Sequence, residues 1–148
     1  MAAPPPAVTS INADLINGKL NRDWGKAQSV EWNNQGFHVQ GWLLYPAHFD
    51  PHKKYPMIVY VHGGPSAALL PDWNSSATAY STFGYFVLMP NPRGSFGEGE
   101  KFVQGVRRDM GYGDLRDILA GVDAVEKQAP IDDHRIGMTG WSYGGFMS

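Results

Sequence analysis

Near the end of the chain, Gly140-Trp141-Ser142-Tyr143-Gly144 carries the pattern Gly-x-Ser-x-Gly. A serine on a sharp strand-to-helix turn exposes its hydroxyl for nucleophilic attack, and small neighbours let that turn close. The pattern alone is common enough to arise by chance, so its surroundings decide. Here the apolar stretch "RIGMTG" (135–140) precedes the serine, and a helix can begin at Tyr143. A second glycine-rich segment, His62-Gly63-Gly64-Pro65, ends another apolar run. Acyl transfer needs two N–H donors aimed at the developing oxyanion. The residue after the nucleophile, Tyr143, supplies one, and a glycine loop after an earlier strand suits the other.

These groups need a frame. "MIVYV" (57–61) and "YFVLMP" (85–90) are unbroken apolar runs, the mark of strands buried on both faces. Each stops at a loop, "HGGP" or "NPRGS". Leu115, Ile118, Leu119, Val122 and Val125 keep the spacing of one apolar helix face, with Gly113 or Asp114 as cap and Pro130 as stop. A shorter helix is expected around "SSATAYSTFG" (75–84). Ahead of these, "SVEWNN" (29–34) and "GFHVQGWLLYP" (36–46) flank the turn Asn33-Asn34-Gln35-Gly36, as an antiparallel pair would. Strands alternating with helices predict an α/β fold with a mostly parallel sheet and an N-terminal antiparallel hairpin. Ligands of such sheets gather at the carboxyl ends of the strands, where "HGGP", "NPRGS" and the serine turn all fall.

Composition narrows the classes. The chain has 148 residues and a net charge of −2, with no case for nucleic acid or a charged membrane surface. No apolar run is long enough for a membrane helix, and "MAAPPPAVTS" is not patterned as a signal peptide. Without cysteine there are no disulfides or thiolate metal sites, and no His, Asp or Glu spacing suggests another metal site. No cofactor is expected. Localisation stays open.

Five ordered blocks then coincide: "GWLLYP", "KKYPMIVYVHGGP", "MPNPRGSFGEGEKF", "GYGDLRDILAGVDAV" and "IDDHRIGMTGWSYGGFM". Over about residues 8–148 the chain resembles the first half of the catalytic α/β-hydrolase domain of prolyl oligopeptidase family serine peptidases, nearest the acylaminoacyl-peptidase and dipeptidyl-peptidase-like branches. The resemblance implies Ser142 as nucleophile and backbone N–H donors from Tyr143 and Gly64. It also implies a short peptide as substrate, with His62, Gly63, Arg93 and Trp141 as candidate lining of its site. Residues 1–27 read as a linker resembling the exit from a β-propeller, and 28–148 as a partial hydrolase domain.

One departure is plain. The family triad runs Ser, Asp, His in chain order, yet only Tyr143, Gly144, Gly145, Phe146, Met147 and Ser148 follow the serine. The chain reads as a fragment, inactive alone, that can associate with a missing C-terminal half or another chain through an exposed sheet edge. His62 is the one histidine on the serine's edge, as a base or as a partner that orders its loop. Arg93 reads equally as an ion-pair partner, and Asp114 as a helix cap or ion-pair partner. A carboxylesterase-like hydrolase and a non-catalytic product are the alternatives.

Overall fold

A computed structural model of the chain describes residues 25–70 and 74–148. Strands β1 (Ala27–Asn34) and β2 (Phe37–Leu44) form an antiparallel hairpin, with Asn34 opposite Phe37. The loop between them is Gln35-Gly36, both at positive φ (49° and 79°), the twist that two-residue hairpin turns require. Then come β3 (Tyr55–Val61), α1 (Ser75–Thr82), β4 (Phe86–Asn91), α2 (Glu100–Gln104), α3 (Gly113–Glu126), β5 (Ile131–Gly140) and α4 (Tyr143–Phe146).

The five strands lie in the order β1-β2-β4-β3-β5. β3 pairs in parallel with β4 and β5, while β2 runs antiparallel to both β1 and β4. Four strands therefore point one way and β2 is reversed. β4 is buried at every position because both its faces are covered. Phe86 and Leu88 join the core beneath α3, with Met57, Val59 and Val61 of β3, whereas Val87 and Met89 meet Ala77 of α1. β4 thus meets the expectation of burial on both faces, whereas β3 buries Met57, Val59 and Val61 but leaves Ile58 and Tyr60 half-buried on its other face. Among the described residues β1 and β5 are the outer strands of this sheet.

The helices differ from expectation in three ways. The five-residue α2 went unread, since its length leaves almost no period to see. The face of α3 is also rotated from its apolar spacing. Asp114, Asp117, Ile118, Gly121 and Val125 are buried, while Leu119 is exposed. Trp32 explains Gly121, because a Cβ there would lie 2.6 Å from its ring. The aspartates are buried because each has a hydrogen-bond partner inside: Arg93 for Asp117, and the Tyr143 hydroxyl for Asp114. Neither Gly113 nor Asp114 caps the helix, as the cap position is Tyr112. Of the expected linker 1–27, residues 1–24 lie outside the described residues, and Ala27 already belongs to β1.

Candidate active site

β5 ends at Gly140, and α4 starts three residues later. Between them Ser142 adopts φ 55° and ψ −112°. Side chains avoid this region, and holding a non-glycine residue there costs on the order of 1–3 kcal/mol. The surroundings impose it. Trp141 N–H donates to the Val61 carbonyl at 3.4 Å, Gly144 N–H to Trp141 at 2.9 Å, and Gly145 N–H to Ser142 at 2.9 Å. A Cβ on Gly140 would collide with the Val61 carbonyl and with Gly144 Cα, and one on Gly144 with the same carbonyl. Both glycines of the motif are therefore required by close backbone approach between β3 and the turn. Ser142 is left exposed at the apex, and neither its hydroxyl nor the Tyr143 N–H has a hydrogen-bond partner among the described residues.

The loop after β3 lies against this turn. A Cβ on Gly63 would stand 3.4 Å from the Ser142 Cβ and 3.2 Å from the Trp141 carbonyl. Gly64 is exposed, with φ 136°. His62 is buried and bonds to the Gly63 carbonyl through Nδ1 (2.6 Å) and to Ser95 Oγ through Nε2 (2.9 Å). A carbonyl only accepts, so Nδ1 carries the proton. Burial lowers the His62 pKa against the raising effect of the Gly63 bond, which keeps the ring neutral. Nε2 therefore accepts from the Ser95 hydroxyl. With both nitrogens engaged, His62 orders its loop and offers no lone pair to Ser142. Further out, Asn91 at the end of β4 accepts from Leu69 N–H (2.7 Å) and donates to the Leu69 carbonyl (3.0 Å), closing the same loop.

Arg93 does not stand at the surface beside the serine. It is buried, and it binds Asp117 through Nε (2.8 Å), Nη2 (2.7 Å) and its own backbone N–H (2.9 Å). Its guanidinium lies 4.6 Å from the centre of the Phe37 ring. The hydrogen bonds to Asp117 raise its pKa above the ordinary value, so it stays charged. Asp117 also accepts from Asn34 Nδ2 at 2.7 Å, and its carbonyl takes Trp32 Nε1 at 2.8 Å. One carboxylate thus ties the hairpin, the loop after β4 and α3 together. Asp114, one turn earlier, accepts from Leu115 N–H (3.0 Å) and from the Tyr143 hydroxyl. Burial first, and that hydrogen bond second, push the Tyr143 pKa up, so the phenol remains a donor.

The fold thus brings Ser142, Tyr143, Trp141, Gly63 and His62 to one edge, and it keeps Arg93 beneath. Three partners escaped sequence reading in these roles. Ser95 could have been sought in "NPRGS", which ends a strand on the same edge as His62. Asp114 and Asp117 were hidden by the apolar spacing around them. Among the described residues no cluster of His, Asp or Glu is arranged to hold a metal ion.

Residues 72–148 match the family described as the prolyl oligopeptidase family. This chain belongs to that family. It is 42% identical over 114 residues to the uncharacterized peptidase YuxL of Bacillus subtilis, across 76% of this chain and 17% of that protein. It is 37% identical over 113 residues to dipeptidyl-peptidase 5 of Porphyromonas gingivalis, across 75% of this chain and 16% of that protein. The acylaminoacyl peptidase of Pyrococcus horikoshii superposes with a TM-score of 0.85 at 32% identity, over 94% of this chain and 22% of that one. The chain therefore spans less than a quarter of the length of these family members. The α/β-hydrolase fold expected from the motifs is the fold of these peptidases, and the family is one of serine-type hydrolases.

Proposed function

We propose that this chain supplies the nucleophile-bearing part of a serine peptidase that cleaves short peptides through an acyl-enzyme on Ser142. The supporting observation is the turn itself, a non-glycine residue forced to φ 55° at the end of β5 with Gly63 packed against it. Strained backbone held by its surroundings clusters at functional sites. In this reading the Tyr143 and Gly64 N–H groups receive the oxyanion, and Gly63 and Trp141 border the peptide. Residues 28–148 act as the first part of the catalytic domain, and 1–27 lead into it. The residues after Ser142 include no Asp or His, and His62 is committed to its loop. The 148 residues on their own therefore lack a base. Without its triad partners a serine site keeps only about 10³–10⁴-fold over water, from the oxyanion hole and binding.

Transplantation tests this. The segment of P. gingivalis dipeptidyl-peptidase 5 that matches this chain is replaced by this chain's residues, so that the host supplies the rest of the catalytic domain. The hybrid is expected to release a chromophore from a dipeptidyl anilide and to lose that activity with Ser142→Ala, while the 148-residue chain alone shows none. A folded hybrid whose turnover is indifferent to Ser142→Ala contradicts the proposal.

A further inference from the structure

Asp114 takes no part in acyl transfer at Ser142, yet its carboxylate is fully buried, an expensive placement for a charge unless partners hold it. Its neighbours account for the placement unevenly. Arg93 lies close enough for the two charges to feel each other, but its hydrogen bonds go to Asp117. One Asp114 oxygen takes the Leu115 N–H of its own helix, and the other takes the Tyr143 hydroxyl. This second bond joins residues 29 positions apart and crosses from α3 to the residue next after the nucleophile.

The turn has few other anchors. α4 is four residues long, too short to be rigid by its own hydrogen bonds. Gly144 and Gly145 contribute no side chains, Trp141 and Phe146 are exposed, and only Tyr143 and Met147 reach the core. The Tyr143 ring is therefore the main lever by which the protein interior sets the direction of the Tyr143 backbone, and Asp114, beside the Gly111 backbone N–H, holds the far end of that lever.

We propose that Asp114 is a positioning residue for the oxyanion site: by fixing the Tyr143 hydroxyl it fixes the Tyr143 N–H relative to Ser142. The inference rests on the reading of Ser142 as nucleophile. Asp114 touches no reacting atom. It acts on the transition state through donor geometry, so its loss lowers the rate of serine acylation and leaves reagent binding alone. A misdirected donor loses part of what an absent one would, so the expected loss is about tenfold against the roughly 10²–10³-fold for removing a donor outright.

The test is acylation of Ser142 by p-nitrophenyl acetate, followed by peptide mass spectrometry on the complete 148-residue chain in mildly alkaline buffer. There the absence of a base slows the reaction without abolishing it. Tyr143→Phe removes only the hydroxyl, and Asp114→Ala removes its acceptor. Each is expected to lower the limiting acylation rate about tenfold with an unchanged half-saturating concentration. The double variant is expected to be no slower than Tyr143→Phe alone, because that substitution already deletes the bond to Asp114. Asp114→Asn keeps an acceptor oxygen and is expected to restore the rate to within about threefold of wild type. Amide exchange across β3 and β5 reports folding in each variant. Should Asp114→Ala fail to fold, Tyr143→Phe decides alone, because its ring still packs. A folded Tyr143→Phe chain that acylates Ser142 at the wild-type rate overturns the inference. If wild-type Ser142 reacts no faster than the exposed Ser75 and Ser76, the reading of the serine fails and this inference falls with it. A reactive Ser142 indifferent to Asp114 and Tyr143 sinks the inference alone.

Discussion

Ser142 and its glycines show how single residues store and resist strain. At φ 55° a glycine is at ease and alanine is not. Ser142→Gly is therefore expected to be more stable than Ser142→Ala by about 1–2 kcal/mol, measured as the difference in urea unfolding free energy. Equal stabilities would show that the turn is not strained. Gly144→Ala sets a methyl group against the Val61 carbonyl, and it is expected to cost about 3 kcal/mol in the same measurement. His62 adds a pH dependence. Its folded pKa lies below the ordinary 6.5 because of burial, so the unfolded chain binds a proton that the folded chain refuses. Stability is then fully present above that value and falls as pH drops through it. The urea midpoint should decline between about pH 7 and pH 5, and decline less in His62→Gln. The motif made Ser142 and its glycines legible in the sequence. The neutrality of His62 was not legible, because it depends on burial that only the folded loop creates.

At the scale of elements, the strands were readable and the helix faces less so. β3 and β4 announce themselves by continuous apolar residues, and the hairpin by its Gln35-Gly36 turn. α3 misled only in part: Ile118 and Val125 are in the core and Leu115 and Val122 pack against it, but Leu119 is exposed and two aspartates share the buried stripe. Asp114 and Asp117 lie in that stripe because each has a buried partner, and no periodicity encodes a partner on another element. Asp117 is the more consequential for stability, since it meets Arg93, Asn34 and, through its carbonyl, Trp32. Asp117→Ala leaves a buried guanidinium unpaired and is expected to cost about 3–5 kcal/mol, read from the shift in urea midpoint at constant slope. A loss below about 1 kcal/mol would mean that the pair behaves as a surface ion pair.

For the whole molecule, the sheet gathers three loop systems at the carboxyl ends of β3, β4 and β5, and Ser142, the proposed nucleophile, stands where they meet. That architecture followed from the alternation of strands and helices. Among the described residues no histidine beside Ser142 is free to serve as its base. His62 is the only histidine at that edge, and both its nitrogens are occupied. The central claim is therefore a serine that is shaped for attack and unassisted within these 148 residues. Reaction with a fluorophosphonate, with the modified peptide identified by mass spectrometry, tests it most directly. In the hybrid with dipeptidyl-peptidase 5 the adduct is expected on Ser142, forming at least about 10³-fold faster than in the 148-residue chain, where only the oxyanion site assists. Equal rates in the two proteins, or an adduct on any other residue of the hybrid, would contradict it.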